Sequence, residues 1–282
     1  DVKVFKLEQN YRSTQTIVNA ANSIIANNKN QLEKNVFSDN EVGDKIKVAR
    51  AFSDNEEGKI VAEAIIQEKT LKSLPYKGFA ILYRTNAQSR AMEEALRKLN
   101  IPYKLYGGTS FYQRKEIKDL ISYFRLTYNP NDEEALKRVI NYPRRGIGDT
   151  TVEKIIVAAD KNQYRLWDVV ANAQMFLDGR SATSVGNFAT MIQSFQAVGN
   201  NSNAFDTAMH IAQHSGILKD LYEDKSVEGL ARYENIQELL NGIKEFSERE
   251  DLEQKTLDIF LQDVALLTND DNDKDPNADT VS

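Results

Sequence analysis

The chain has 282 residues, 41% hydrophobic and 28% charged, with a formal net charge of −6, two histidines and no cysteine. That is enough material for two cores, and the lack of cysteine excludes disulfides, thiolate metal sites and cysteine nucleophiles. No apolar run approaches membrane-spanning length and nothing at the N-terminus resembles a signal peptide, so the expected location is cytoplasmic.

The chain starts at Asp1, inside a strand-like run and without an initiator methionine, which reads as a fragment. Residues 7 to 14 are LEQNYRST, following Val2, Val4 and Phe5 and preceding a helix that Ser13 or Thr14 can cap, through Ile17, Val18, Ala21, Ile24 and Ile25. Within it, Tyr11-Arg12 suits a nucleotide, offering a plane for a base and a planar cation for a phosphate. Ile46 to Ala49 is strand-like, and Asn55 precedes a helix through Ile60, Val61, Ala64 and Ile65. Gly78 to Tyr83 reads as a buried strand from its near-continuous apolar content. It leads into Arg84, Thr85 and Asn86, polar donors at the carboxyl end of a parallel sheet, where open α/β sheets bind ligands. Ser89 and Arg90 open the next helix, whose amides can take a phosphate; the same residues also read as a capped helix with a surface arginine. That helix, Ala91 to Leu99, is stopped by Asn100 and Pro102 and followed by a strand, Tyr103 to Tyr106. The alternation predicts a parallel sheet flanked by helices.

Residues 106 to 119 are YGGTSFYQRKEIKD. Gly107 and Gly108 permit close backbone approach, Phe111 and Tyr112 offer stacking faces, and Arg114 and Lys115 add cations. An ordinary glycine turn before an amphipathic helix with Ile117, Leu120, Ile121 and Phe124 reads equally well. Beyond about residue 126 only helical periodicity remains, around 135–140, 151–159, 188–195, 204–215 and 230–246, with a turn at 129–132 and loops at 177–184 and 199–203. Residues 142 to 153 are YPRRGIGDTTVE, where Gly146 and Gly148 can expose amides to a phosphate and Arg144, Arg145, Thr150 and Thr151 add donors. The acidic, Pro-containing stretch 269–279 reads as a mobile surface loop. Gly58-Lys59 is no phosphate loop, His210 and His214 read as core or surface residues, Glu56-Glu57 and Glu93-Glu94 as solvated helix faces, and Trp167 as core.

Charge is divided unevenly. Residues 1–145 carry 25 Lys+Arg against 18 Asp+Glu, a net of +7, and the remainder 11 against 24, a net of −13. A basic half with interleaved aromatics suits a phosphate-backbone partner, though a solvated surface of uneven charge satisfies the same numbers.

LEQNYRST, YRTNAQSR with its EEAL helix, the glycine-aromatic segment and the GIG turn, in that order, resemble the superfamily 1 DNA helicases of the UvrD, Rep and PcrA group. The resemblance implies that residues 1–126 are the first part of the RecA-like α/β domain 2A and residues 127–282 the all-α domain 2B. It further implies that Tyr11 stacks on the adenine of ATP and Arg12 contacts its γ-phosphate. Arg84, Asn86, Arg90, Phe111 and Arg114 would touch single-stranded DNA, and Gly146 to Thr151 the duplex backbone at a junction. The sequence contains no GxxxxGK[ST] loop and no paired acids for Mg²⁺, so the metal ligands are expected elsewhere in a parent with 3'-to-5' polarity, and the chain alone is expected to be inactive. The alternatives are the helicase subunit of a recombination nuclease and a non-catalytic DNA-binding or regulatory module.

Overall fold

Ser53 has an extended backbone and accepts from the Glu56 amide at 3.2 Å, while the Glu56 carboxylate accepts from the Phe52 amide at 2.7 Å. This reciprocal cap starts a helix two residues earlier than Asn55 would, over Asp54–Lys72. In the computed structural model, which describes residues 5–29, 34–106, 109–268 and 278–282, the chain divides into two compact units, Asp1–Ala51 and Phe52–Ser282. Val2, Val4, Gly107, Gly108 and residues 269–277 of the acidic stretch lie outside the described residues.

The first unit holds helix α1 (Gln15–Ile25), whose N-cap position is Thr14, without a side-chain cap bond. Val18 is buried, and Gln9 bridges Phe37 in a single parallel pair. Gly43 is at φ +76°, and a Cβ there would lie 2.5 Å from Thr14, so this close approach admits glycine alone.

The second unit is helical. Helices α2 (Asp54–Lys72) and α3 (Ser89–Lys98) enclose a small core of Ala62, Ile65, Ala95, Leu96, Ile101 and Val281. Gly58 serves this packing, since a Cβ there would meet the Ala91 carbonyl at 2.5 Å. Helices α4 (Lys115–Tyr128), α5 (Glu133–Val139), α6 (Asp149–Asn162), α7 (Leu166–Ala171), α8 (Ala173–Phe176), α9 (Gly179–Gly199), α10 (Ala204–His214), α11 (Ile217–Glu223), α12 (Val227–Glu248) and α13 (Leu257–Thr268) surround one large core from Phe111 to Val264. In α4 the predicted stripe is real: Ile117, Leu120 and Phe124 are fully buried, worth roughly 1.5–3 kcal/mol each. Asp132, Asn203 and Ser226 cap α5, α10 and α12. Trp167 packs partly buried against the same core, as expected.

The expected parallel sheet, and with it the RecA-like α/β architecture, is not present: no strand forms among the described residues, and the secondary structure is helical. Extended segments do meet, with Ile81 N donating to Ser282 O at 2.8 Å and Lys104 N to Val281 O at 2.8 Å, but only the isolated bridge Tyr103↔Val281 results. The physical reason lies in the side chains. In 79–83, Phe79, Ile81 and Tyr83 are half-buried while Ala80 and Leu82 are exposed, Leu82 at 89%, so one face is bare where a central strand needs two covered ones. Val48, in the strand-like run 46–49, is 92% exposed. The loop expected at 177–184 is also corrected, because α9 begins at Gly179.

Candidate nucleic-acid interface

In the first unit, the Asn10 carboxamide oxygen accepts from the amides of Arg12 at 2.9 Å and Ser13 at 2.8 Å, closing an Asx turn. Asn40 Nδ2 donates to the Ser13 carbonyl at 3.1 Å and Ser38 Oγ to the same oxygen at 2.7 Å, pinning the turn from its other side. The pinned backbone turns both residues outward. Tyr11 is 79% exposed, its hydroxyl donating to Gln9 Oε1 at 2.6 Å, and the Arg12 guanidinium has no partner among the described residues. Tyr11 and Arg12, neighbours in sequence, are thus both exposed, with the guanidinium uncommitted among the described residues. Asn10, Asn40 and Ser38 were not singled out in the sequence; Asn two before an arginine is a turn signal that finds the first of them.

In the second unit, Gln88 Oε1 accepts from the amides of Arg84 at 2.9 Å and Thr85 at 3.0 Å, forming a tight turn that leaves Arg84 and Asn86 exposed. Arg90, one turn further on, points the other way. It is 2% exposed, with Nε donating to Glu238 at 2.7 Å, Nη1 to both oxygens of Glu94 at 3.2 Å, and Nη2 lying 3.7 Å from Glu245. Burial alone lowers the affinity of this guanidinium for its proton, but Glu94 and then Glu238 more than reverse that, leaving it firmly charged. Glu238 and Glu245 are in turn held above the usual carboxylate range by burial, which the field of Arg90 only partly offsets.

Phe111 is also interior, with no exposed surface, its ring edge-on to Tyr112 at 5.3 Å and Arg114 over it at 5.1 Å. Arg114 is half-buried and committed: Nη1 donates to Asn235 at 2.9 Å and Nη2 to Ser89 Oγ at 2.8 Å. Burial lowers its pKa, partly countered by Glu93. The Glu93-Glu94 pair, read from sequence as a solvated face, is buried instead. Glu93 accepts from Ser89 Oγ at 2.9 Å, Ser110 Oγ at 2.6 Å and the Phe111 amide at 3.1 Å, tying three segments together. These three donors, with the Tyr103 hydroxyl at 3.2 Å as a fourth, offset the desolvation of the carboxylate, which no local sequence pattern announces.

In the turn before α6, Asn141 Oδ1 accepts from the amides of Arg145 at 2.9 Å and Ile147 at 3.1 Å, and Ile147 plugs into the core at 1% exposure. Gly146 takes φ +75°, whereas Gly148 has an ordinary negative φ with open space about it, so only the first requires glycine by conformation. Arg144, Gly146, Gly148 and Thr150 face solvent. Arg145 and Thr151 turn inward: Arg145 donates to the carbonyls of Val139 at 3.2 Å, Pro143 at 2.9 Å and Ser215 at 2.6 Å, and Thr151 is buried. Asp149 sits in the first turn of α6, close to where a phosphate would meet the amides. Among the described residues no group of three His, Cys, Asp or Glu side chains could hold a metal, and no helix is long and apolar enough to cross a membrane.

Arg12 in the first unit, and Arg84 and Arg144 in the second, thus stand exposed on turns that side-chain amides pin. Residues 5–282 match the model of the UvrD-like helicase C-terminal domain, and the chain belongs to that family. It is 39% identical over 267 residues to DNA helicase II of Haemophilus influenzae, covering 94% of this chain and 37% of that protein. It is 38% identical over 282 residues to the ATP-dependent DNA helicase PcrA of Staphylococcus epidermidis, covering 100% of this chain and 38% of that one, and 38% identical over 276 residues to PcrA of Staphylococcus aureus. The chain thus spans under two-fifths of the length of these relatives.

Proposed function

We propose that the chain contributes part of the nucleotide site and part of the DNA-contacting surface of an ATP-dependent helicase, one that moves 3'-to-5' on single-stranded DNA and opens duplex ahead of it. The observation that carries this reading is the Tyr11-Arg12 turn, whose two side chains are presented to solvent by Asn10 and Asn40 in a chain of helicase family. Tyr11 stacks on the adenine, and Arg12 reaches the γ-phosphate, where a guanidinium stabilises charge that develops as the phosphoryl group leaves. Bound ATP supplies the free energy for stepping, and Mg²⁺ is held by acids outside this chain. Arg84 and Asn86 contact the single strand; Arg144, Gly146, Gly148 and Thr150 contact the duplex backbone. Arg90, Phe111, Arg114, Arg145 and Thr151 act behind these surfaces, holding them in place.

In the intact helicase, Arg12→Ala should lower kcat for ATP on the order of 10³-fold or more, while Tyr11→Ala mainly raises KM for ATP. Near wild-type hydrolysis in both variants would make the turn structural and favour a non-catalytic DNA-binding module.

A further inference from the structure

Helix α12 carries Asn235, Glu238, Gly242 and Glu245 at spacings that fall on one face. That face receives Arg90 and Arg114, two of the arginines that turn inward from the 84–114 region. Glu238 and Glu245 take Arg90 at 2.7 and 3.7 Å, and Asn235 takes Arg114 at 2.9 Å. Asn235 is itself oriented by donating to Glu116 at 2.6 Å. Gly242 makes the room: a Cβ there would lie 2.8 Å from Arg90 Nη1 and 2.9 Å from its Cζ. Asn55 at the start of α2 also donates to Glu245. The partners of Arg90 and Arg114 are thus fixed in turn, and the α12 face is a built receptor.

We propose that this face of α12 is a positioning surface for single-strand contact: through Arg90 and Ser89 it sets where the 84–88 turn presents Arg84 and Asn86, without itself touching nucleic acid. The inference rests on the proposed single-strand role of that turn. Arg90 sits two residues beyond Gln88, whose side chain closes the turn on the Arg84 and Thr85 amides. Ser89, between them, donates to Glu93 and accepts from Arg114. Electrostatics gives the idea a sign. Carboxylates near a phosphate track oppose binding, so removing Glu238 ought to tighten DNA if its charge were all that mattered, and ought to free Arg90 for the strand. A positioning role demands the reverse.

The test compares Glu238→Gln, Gly242→Ala and Arg84→Ala in the intact helicase. It reads the single-stranded DNA concentration for half-maximal ATPase, kcat at saturating DNA, the salt slope of affinity and the thermal midpoint. Glu238→Gln and Gly242→Ala should each raise the half-saturating DNA concentration about tenfold, the size of a coupling within one network, with kcat and salt slope unchanged. Arg84→Ala should raise it and lower the salt slope by about one, for one lost phosphate contact. If Arg84→Ala behaves so while Glu238→Gln and Gly242→Ala leave half-saturation unchanged or lower it, the positioning role is overturned, even if their thermal midpoints fall. If Arg84→Ala has no effect, the single-strand reading of the turn fails and the inference with it.

Discussion

The 84–90 segment and the 144–151 turn each carry two arginines close in sequence, and in each the pair divides. Arg84 and Arg144 stand in solvent; Arg90 and Arg145 are consumed by the protein, one by three carboxylates and the other by three carbonyls. The two inward arginines differ in what they cost. Arg90 neutralises buried acids and is surrounded by opposite charge, whereas Arg145 spends its donors on neutral acceptors and packs over the rings of Tyr123 and Phe188 at 5.6 Å. The difference teaches that a basic residue in a glycine- or helix-start context is available to a phosphate only when the rest of the fold leaves its donors unclaimed.

The largest expected effect that sharpens this contrast is on stability. Arg90→Ala abandons Glu94, Glu238 and Glu245 in a buried setting and should cost about 3–5 kcal/mol, while Arg84→Ala stays within about 0.5 kcal/mol; urea unfolding of the chain measures both. Equal losses would erase the distinction between inward and outward arginines. Arg145→Ala should cost about 2–3 kcal/mol by stranding carbonyls that accept from a charged donor, against nearly nothing for Arg144→Ala, and the same unfolding curves decide it.

A smaller effect concerns pH. His210 on α10 is held below its ordinary value of 6.5 by partial burial and then by His214, whose ring stacks on it at 4.0 Å. The fold favours the neutral imidazole, so the stability it lends is full above about pH 6.5 and is lost as pH falls through the lowered folded value. His210→Gln should therefore flatten the acid side of the stability curve relative to wild type, a comparison in which the buried carboxylates cancel. Superimposable wild-type and variant curves between neutral and mildly acidic pH would contradict it.

How much of this was legible in the sequence follows from which forces are local. The α4 stripe, the Asp132 cap and the long α12 helix follow from periodicity and capping, which act within a few residues. The parallel sheet was misread because the apolar run at 78–83 resembles a strand covered on both faces, yet whether a second face is covered depends on neighbours far along the chain. Tyr11 and Arg12 stand exposed because the Asn10 side chain, close by in sequence, closes the turn that carries them. The fates of Arg90 and Phe111 were not legible: Arg90 meets Glu238 across 148 residues, and Phe111 is locked by Glu93 through a backbone bond that no motif records. Gly242 illustrates the same limit, since an unremarkable helical glycine is required only because a guanidinium lies against it.

The most direct test of the claim that outward cations bind phosphate and inward ones do not is the salt dependence of duplex-junction affinity in the intact helicase. Arg144→Ala should weaken junction binding equally across base sequences and reduce the slope of log affinity against log salt by about one unit, with Arg145→Lys keeping the wild-type slope. An unchanged slope and affinity in Arg144→Ala would contradict the account and leave the glycine turn as a chain reversal.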